Sequence, residues 1–161
     1  MTYIKTAFLL LLASLIFSCG SKIPPIGLDG KIRAYVDALP DTTTVFKMDV
    51  FENLPFDWDQ MAIINPYTSH DSIRDLPYTN LWPNKSTIIN NTYHEQFAQL
   101  LFSKGDKVMS VDTVKRDVID FVVLKVSGRV NGVNILKRGQ IRNLIYSRNL
   151  VTMGKYVPIL K

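Results

Sequence analysis

The chain has one cysteine, Cys19, among its 161 residues. A single thiol cannot form an internal disulfide, so a fold held together by disulfide bonds is excluded. A run of about 20 apolar residues, the length that a bilayer-spanning helix needs, is also missing near the N-terminus, where the apolar run at residues 7–17 has eleven. Folding must therefore depend on a hydrophobic core, for which 47% hydrophobic residues suffice.

Signatures of catalysis are missing as well. The eight glycines form neither G-x-G-x-x-G nor a phosphate-binding loop, and no G-x-S-x-G elbow is present. The two histidines, His70 and His94, lie in turn-rich stretches without a serine motif nearby. The sequence therefore predicts no catalytic residue, no metal ligand set and no cofactor, and nothing in it argues for an enzyme.

The N-terminal segment has the pattern of an export signal. Lys5 is followed by the apolar run at residues 7–17 and then by Ser18 and Cys19. This pattern resembles a bacterial lipoprotein signal peptide. The resemblance implies that residues 1–18 are removed and that the thiol of Cys19 is acylated, as with palmitate. The alternative is an ordinary secretory signal with a cysteine near its cleavage site.

Lipidation implies that the protein is exported and anchored to the bacterial cell envelope by membrane lipid. By resemblance to lipoprotein sorting, Gly20 in place of aspartate after the cysteine favours the outer membrane, facing the periplasm. Residues 19–30 carry prolines and glycines and are expected to form a flexible tether. Residues 31–161 are expected to form a single globular domain.

Apolar periodicity predicts the first elements of that domain. A helix is expected at residues 32–39, because apolar side chains recur there at helical spacing before Pro40. Strands are expected at residues 46–50 and 58–64, the second inside a sheet because both of its faces become apolar. A short helix capped by the T-x-x-D pattern of Thr68 and Asp71 should follow.

The second half is expected to be rich in strands. Residues 77–94 predict an irregular connection, and residues 97–102 and 107–114 predict a hairpin turning at Gly105. Further expectations are a strand at 118–126, a turn at Asn131-Gly132, a short helix at 141–145 and a last strand within 150–160. The predicted class is α+β, with a mostly antiparallel sheet and two or three short helices.

Two segments carry a second resemblance. Asp57-Trp58-Asp59 precedes a hydrophobic strand and Asn65-Pro66-Tyr67-Thr68-Ser69, and later the chain reads Leu-Leu-Phe-Ser-Lys-Gly-Asp-Lys-Val at residues 100–108. These segments resemble a functionally uncharacterised group of small bacterial lipoproteins. The resemblance covers roughly residues 45–120 and implies a fold but no activity.

The acidic and aromatic residues around the second strand are the candidate site. Asp57, Asp59 and His70 could line a pocket of a ligand-binding or hydrolytic domain. Trp58, Tyr67 and Trp82 are candidate contact or pocket residues. The simpler interpretation places the aspartates in solvent or at a helix cap and makes Tyr67 a packed corner with a bonded hydroxyl.

Charge is divided unevenly along the chain. No acidic residue follows Asp120, where eight basic residues lie, whereas residues 20–120 hold 10 basic and 14 acidic side chains, a net charge of −4. A candidate basic surface is formed by four residues: Lys137, Arg138, Arg142 and Arg148. It could meet anionic lipid headgroups or an acidic partner. Alternatively, the acidic half neutralises it within the domain.

The favoured function is a non-catalytic envelope lipoprotein, a structural or interaction module whose partners are membrane lipid, through Cys19, and an envelope protein. Nucleic acid is not an expected partner in that compartment. The alternative is the pocket lined by Asp57, Asp59 and His70. Convergence of those three side chains favours the pocket, and a flat apolar patch rimmed by lysine and arginine favours the module.

Overall fold

The computed structural model describes residues 23–81, 84–124, 129–130, 133–148 and 154–160. These residues include four α-helices, eight strands and one 3₁₀-helix. In chain order the elements are α1 (Leu28–Asp37), β1 (Val45–Phe46), β2 (Gln60–Ile64), α2 (His70–Arg74), α3 (Lys85–Asn91), β3 (Phe97–Lys104), β4 (Lys107–Lys115), the 3₁₀-helix (Phe121–Val123), β5 (Arg129–Val130), β6 (Val133–Lys137), α4 (Arg138–Arg142), β7 (Leu144–Arg148) and β8 (Tyr156–Leu160). Within these ranges, no helix has the length and apolar character to cross a membrane.

Five strands form the larger sheet, in the order β4-β3-β2-β6-β5, with every neighbouring pair antiparallel. The predicted hairpin is confirmed as β3 and β4, and Gly105 takes the left-handed φ of 57° in its turn. The inner position of β2 is also confirmed, because residues 61–64 are buried on both faces. The α+β class is therefore correct.

The smaller sheet has the order β1-β7-β8 and packs against one face of the larger sheet. Its inward residues include Tyr146 and Tyr156, and the Phe46 ring stacks on Tyr146 with centroids 5.2 Å apart. Between the sheets lie Met61 and Phe102 of the larger sheet, together with the buried residues of α1. This is the principal hydrophobic core.

A second core covers the opposite face of the larger sheet. Ala62, Ile64 and Leu101 point into it, and Ile73 of α2 and Ile88 of α3 cover them. The domain therefore has three layers: a small sheet, a large sheet and a layer of short helices. This arrangement buries one face of the small sheet and leaves its other face uncovered by the described residues.

Part of the segment that was expected to be a flexible tether, residues 24–30, is held by the domain. The helix expected at residues 32–39 is confirmed as α1, but it begins at Leu28, so residues 28–30 form its first turn. The preceding segment is also held, because the Asp112 carboxylate accepts bonds from the backbone N–H groups of Ile26 and Leu28, both at 3.0 Å. The Pro24 carbonyl accepts a bond from the Ser110 hydroxyl.

Several local predictions need correction where tertiary packing overrides local pattern. The irregular connection expected at 77–94 contains α3, which forms because Ile88 is buried in the second core. The strand expected at 118–126 is wrong at Phe121–Val123, which form a 3₁₀-helix. This helix begins where the Asp120 carboxylate accepts the Val122 N–H. The strand expected at 46–50 ends at Phe46.

Two helix boundaries also differ from expectation. The cap of α2 is Ser69 rather than Thr68, since the Ser69 hydroxyl accepts the Ser72 N–H at 3.1 Å. The helix expected at 141–145 is α4, which ends at Arg142, and residues 144–145 belong to β7. The expected turn at 131–132 lies outside the described residues, although β5 and β6 pair antiparallel on either side of it.

Candidate functional site

Asp57, at the start of the candidate site, is fully engaged in ion pairs. Its carboxylate lies 2.7 Å from Lys104 Nζ and 3.3 Å from Arg138 Nη1. The hydrogen bond from Lys104 lowers the pKa of Asp57 below its ordinary value, and the same bond raises the pKa of Lys104. Asp57 therefore links the β3–β4 hairpin to α4 through ion pairs at the surface, where its side chain is 67% exposed.

Asp59 connects the elements around it. Its Oδ2 accepts the Gly105 N–H at 3.0 Å, which fixes the turn of the hairpin. Its own N–H bonds the Ser103 carbonyl, and its carbonyl accepts the Arg138 N–H. These bonds assign Asp59 a structural role at the entry to β2.

Trp58 is buried and cannot serve as an exposed contact residue. Its side chain is only 2% exposed, and its ring meets Phe102 edge to face with centroids 5.3 Å apart. The Arg138 guanidinium lies 5.1 Å from the indole centroid, a cation–π arrangement. Trp58 thus closes the principal core beneath Arg138. Trp82, the other candidate tryptophan, lies outside the described residues, as does Cys19.

His70 does not join the two aspartates. Asp59 precedes β2 and His70 follows it, and six residues of extended chain between positions 59 and 65 cover about 20 Å. His70 Nε2 instead lies 2.8 Å from the Tyr93 hydroxyl. The expected pocket lined by Asp57, Asp59 and His70 is therefore not formed. Among the described residues, no group of three His, Cys, Asp or Glu side chains is placed to hold a metal.

Tyr67 is exposed, contrary to the interpretation of a packed corner. Its side chain is 65% exposed, and its backbone has a positive φ of 60°. The hydroxyl is bonded, as expected, because it donates to the Glu95 carboxylate. The backbone N–H donates to the Thr92 carbonyl at 2.7 Å, which joins the turn after β2 to the end of α3.

Two of the four candidate basic residues form ion pairs with acidic residues from earlier in the chain. Arg138 pairs with Asp57, and Arg142 Nε lies 2.9 Å from the Glu52 carboxylate. Arg148 donates to the Asp41 carbonyl at 3.1 Å, and Lys137 is exposed. This supports the neutralisation alternative, because two of the four candidate basic residues are bound in ion pairs.

The surface that the sequence did not reveal is the outward side of the small sheet, here called the outer face. Its aliphatic members share two cross-strand rows: Val45, Ile145, Val157 and Ile159. Val45 is 53% exposed and Ile159 is 42% exposed. Exposed Lys47 follows β1 and exposed Lys155 precedes β8, whereas none of the three strands carries an acidic residue.

Two buried carboxylates were also missed. Asp112 and Asp120 are 2% and 0% exposed. For Asp112 the signal was present, because Ser110, Asp112 and Val114 alternate along β4 and are all buried. For Asp120 it was not, since Arg116, which pairs with it at 2.9 Å, is four residues away but does not share a helix with it.

Comparison with protein-family models, with curated proteins and with solved structures finds no match for this chain. Its function is therefore inferred from its own residues. Asp57, Asp59 and Arg138 hold elements together, whereas the outer face and the turn around Tyr67 are exposed surfaces of the described residues.

Proposed function

We propose that this protein is a lipid-anchored, non-catalytic module of the bacterial cell envelope, and that its outer face lies against the anionic surface of the membrane that carries it. The observation that supports this proposal is the outer face itself. It is apolar, half-exposed and flanked by lysines, which is the combination that favours a contact surface over a pocket.

The chemistry of the outer face suits a headgroup layer. Aliphatic side chains gain free energy when they leave water for the boundary of the acyl region. Lys47 and Lys155 are attracted to negative headgroups, and the absence of acidic residues from the three strands removes an opposing repulsion. A second copy of the chain is a poorer partner, because it would bring the same lysines together.

The short connection to the anchor would keep the outer face near the membrane. The fold already holds the chain at Pro24, through the Ser110 hydroxyl at 3.0 Å. Cys19 and Pro24 are five positions apart in the chain, and a fully extended chain of that length reaches about 18 Å. Such a short tether gives the domain a high effective concentration at the surface, so individually weak contacts suffice.

Acylation of Cys19 is tested by metabolic labelling with a clickable fatty acid. We expect wild-type protein to carry the label and to sediment with membranes, and Cys19→Ser to lose the label and to keep residues 1–18. Intact-mass measurement of both proteins checks the leader. Unlabelled wild-type protein, or labelled Cys19→Ser, would contradict lipid anchoring.

Contact through the outer face is tested with a single introduced thiol. Because acylation blocks Cys19, Ile159→Cys provides the one reactive thiol of the full-length lipoprotein. We expect maleimide to react with it several-fold more slowly in nanodiscs of anionic lipid than in nanodiscs of zwitterionic lipid, because the anionic surface covers the outer face.

Three further variants complete this test. Tyr93→Cys, at a residue that is 61% exposed on another element, should react at the same rate in both lipids. Reversing Lys47 and Lys155 to glutamate should restore fast labelling of Ile159→Cys on anionic lipid, whereas Lys137→Glu should not. Equal rates for Ile159→Cys in the two lipids would show that the outer face is not the contact.

A further inference from the structure

An open cavity of about 470 Å³ lies at the end of β2. It is called here the Tyr67 cavity. Seven residues line it: Asn65, Pro66, Tyr67, Thr68, Ser69, Ser72 and Val122. None of them carries a charge, and most present a hydroxyl or an amide. The cavity therefore offers hydrogen bonds without a net electrostatic preference.

Two exposed aromatic rings lie at this end of the sheet. In the part of the chain that the structure describes, Tyr67 and Tyr93 are the phenylalanine, tyrosine or tryptophan side chains that are mostly in water, at 65% and 61% exposed. The Tyr67 N–H donates to the carbonyl of Thr92, the residue before Tyr93. Tyr93 is oriented by its hydroxyl, 2.8 Å from His70 Nε2.

The backbone at Tyr67 is strained in a way that presents its ring. Tyr67 is the one described residue other than glycine with a positive φ, and Cβ clashes make that region unfavourable for a bulky L-residue. Burial of the ring does not compensate for this, since the ring is exposed. Such residues concentrate where a surrounding structure holds a side chain ready for a ligand.

The hydroxyls of the lining are held in position by the protein. The Thr68 hydroxyl donates to the Asn65 carbonyl at 2.8 Å, and the Ser69 and Ser72 hydroxyl oxygens lie 2.7 Å apart. The Glu95 carboxylate, which accepts the Tyr67 hydroxyl, adds a further acceptor at the rim.

From these observations we infer that the Tyr67 cavity binds a neutral carbohydrate. A sugar ring has an apolar C–H face that stacks on tyrosine and a set of hydroxyls that pair with serine, threonine and asparagine. An apolar ligand would meet a lining made mostly of hydroxyl and amide groups, and an ionic ligand would find no opposite charge among the seven lining residues. The inference goes beyond membrane contact and uses a different surface.

The test titrates the full-length lipoprotein in detergent micelles with three soluble oligosaccharides, namely the tetramers of chitin, cellulose and maltose, by calorimetry and saturation-transfer NMR. We expect at least one of them to bind. The decisive variant is Tyr67→Gly, because glycine adopts a positive φ without strain. It should melt at or above the wild-type temperature. Its affinity for the sugar should fall by about tenfold or more.

Matched variants separate the ring from its hydroxyl and from the rest of the surface. Tyr67→Phe keeps the ring and should bind within about threefold of wild type. Ile159→Ala, on the outer face, should bind as wild type. The inference is overturned if none of the three sugars binds, if Tyr67→Gly binds them unchanged, or if Tyr67→Gly melts below wild type, which indicates a packing role. None of these outcomes depends on Cys19 or on membrane contact.

Discussion

Replacing Asp120 with alanine is expected to lower the free energy of unfolding by about 3 to 5 kcal/mol, because it leaves a nearly buried arginine without its partner. The Asp120 carboxylate is fully buried and receives Arg116 Nε at 2.9 Å and Nη2 at 3.0 Å. It also accepts the Val122 N–H at 3.2 Å, which shapes the 3₁₀-helix. Denaturation by urea, monitored by circular dichroism, measures the loss.

The chain around Asp120 is too closely packed to rearrange when the carboxylate is removed. A Cβ added at Gly154 would lie 2.6 Å from the Asp120 backbone nitrogen, so the chain is closely packed against this residue. Asp117→Ala is the matched control, since the Asp117 pair with Arg33 is in solvent and should contribute little. If the two variants unfold at the same urea concentration, the Asp120 pair does not stabilise the fold as argued.

The second large effect is expected at Asp112. Replacing it with alanine should lower the free energy of unfolding by about 2 to 4 kcal/mol, because each buried donor left without a partner costs about 1 to 3 kcal/mol. The carboxylate accepts the Ile26 and Leu28 N–H groups and the Ser110 hydroxyl, the last at 2.9 Å. Asp112→Ala leaves the two backbone N–H groups unpaired, whereas the Ser110 hydroxyl can still donate to the Pro24 carbonyl. It should also release the segment that precedes α1.

Hydrogen exchange distinguishes this local release from general destabilisation. In Asp112→Ala, the amides of residues 26–28 should exchange much faster than in wild type, while those of β2 and β3 should change only with global stability. Asp112→Asn keeps one acceptor oxygen, so its amides at residues 26–28 should exchange at a rate between those of wild type and Asp112→Ala. Unchanged protection at residues 26–28 in Asp112→Ala would show that other contacts hold this segment.

Strong local patterns were the part of the fold that the sequence made predictable. The β3–β4 hairpin, the inner strand β2 and the helix α1 each combine periodicity with a clear stop signal, such as Gly105 or Pro40. The helix α3 has no such pattern, because it depends on Ile88 reaching a core built by other segments. The 3₁₀-helix depends in the same way on the carboxylate of Asp120.

The candidate site was less predictable than the fold. Asp59 and His70 are close in sequence, but a strand separates them, and an extended strand moves its flanking residues far apart. Tyr67 was named as a candidate contact or pocket residue, but its exposure follows from a backbone conformation that composition does not encode. The outer face was missed because β1 and β8 come from distant parts of the chain.

That distance along the chain also bears on when the domain can fold. Val45 in β1 pairs with Ser147 in β7, and the Tyr156 hydroxyl reaches back to the Thr43 carbonyl at 3.1 Å. The small sheet therefore cannot assemble until the ribosome has made nearly the whole polypeptide. Such long-range pairing is slow to form, so the small sheet is expected to be the last part of the domain to be completed.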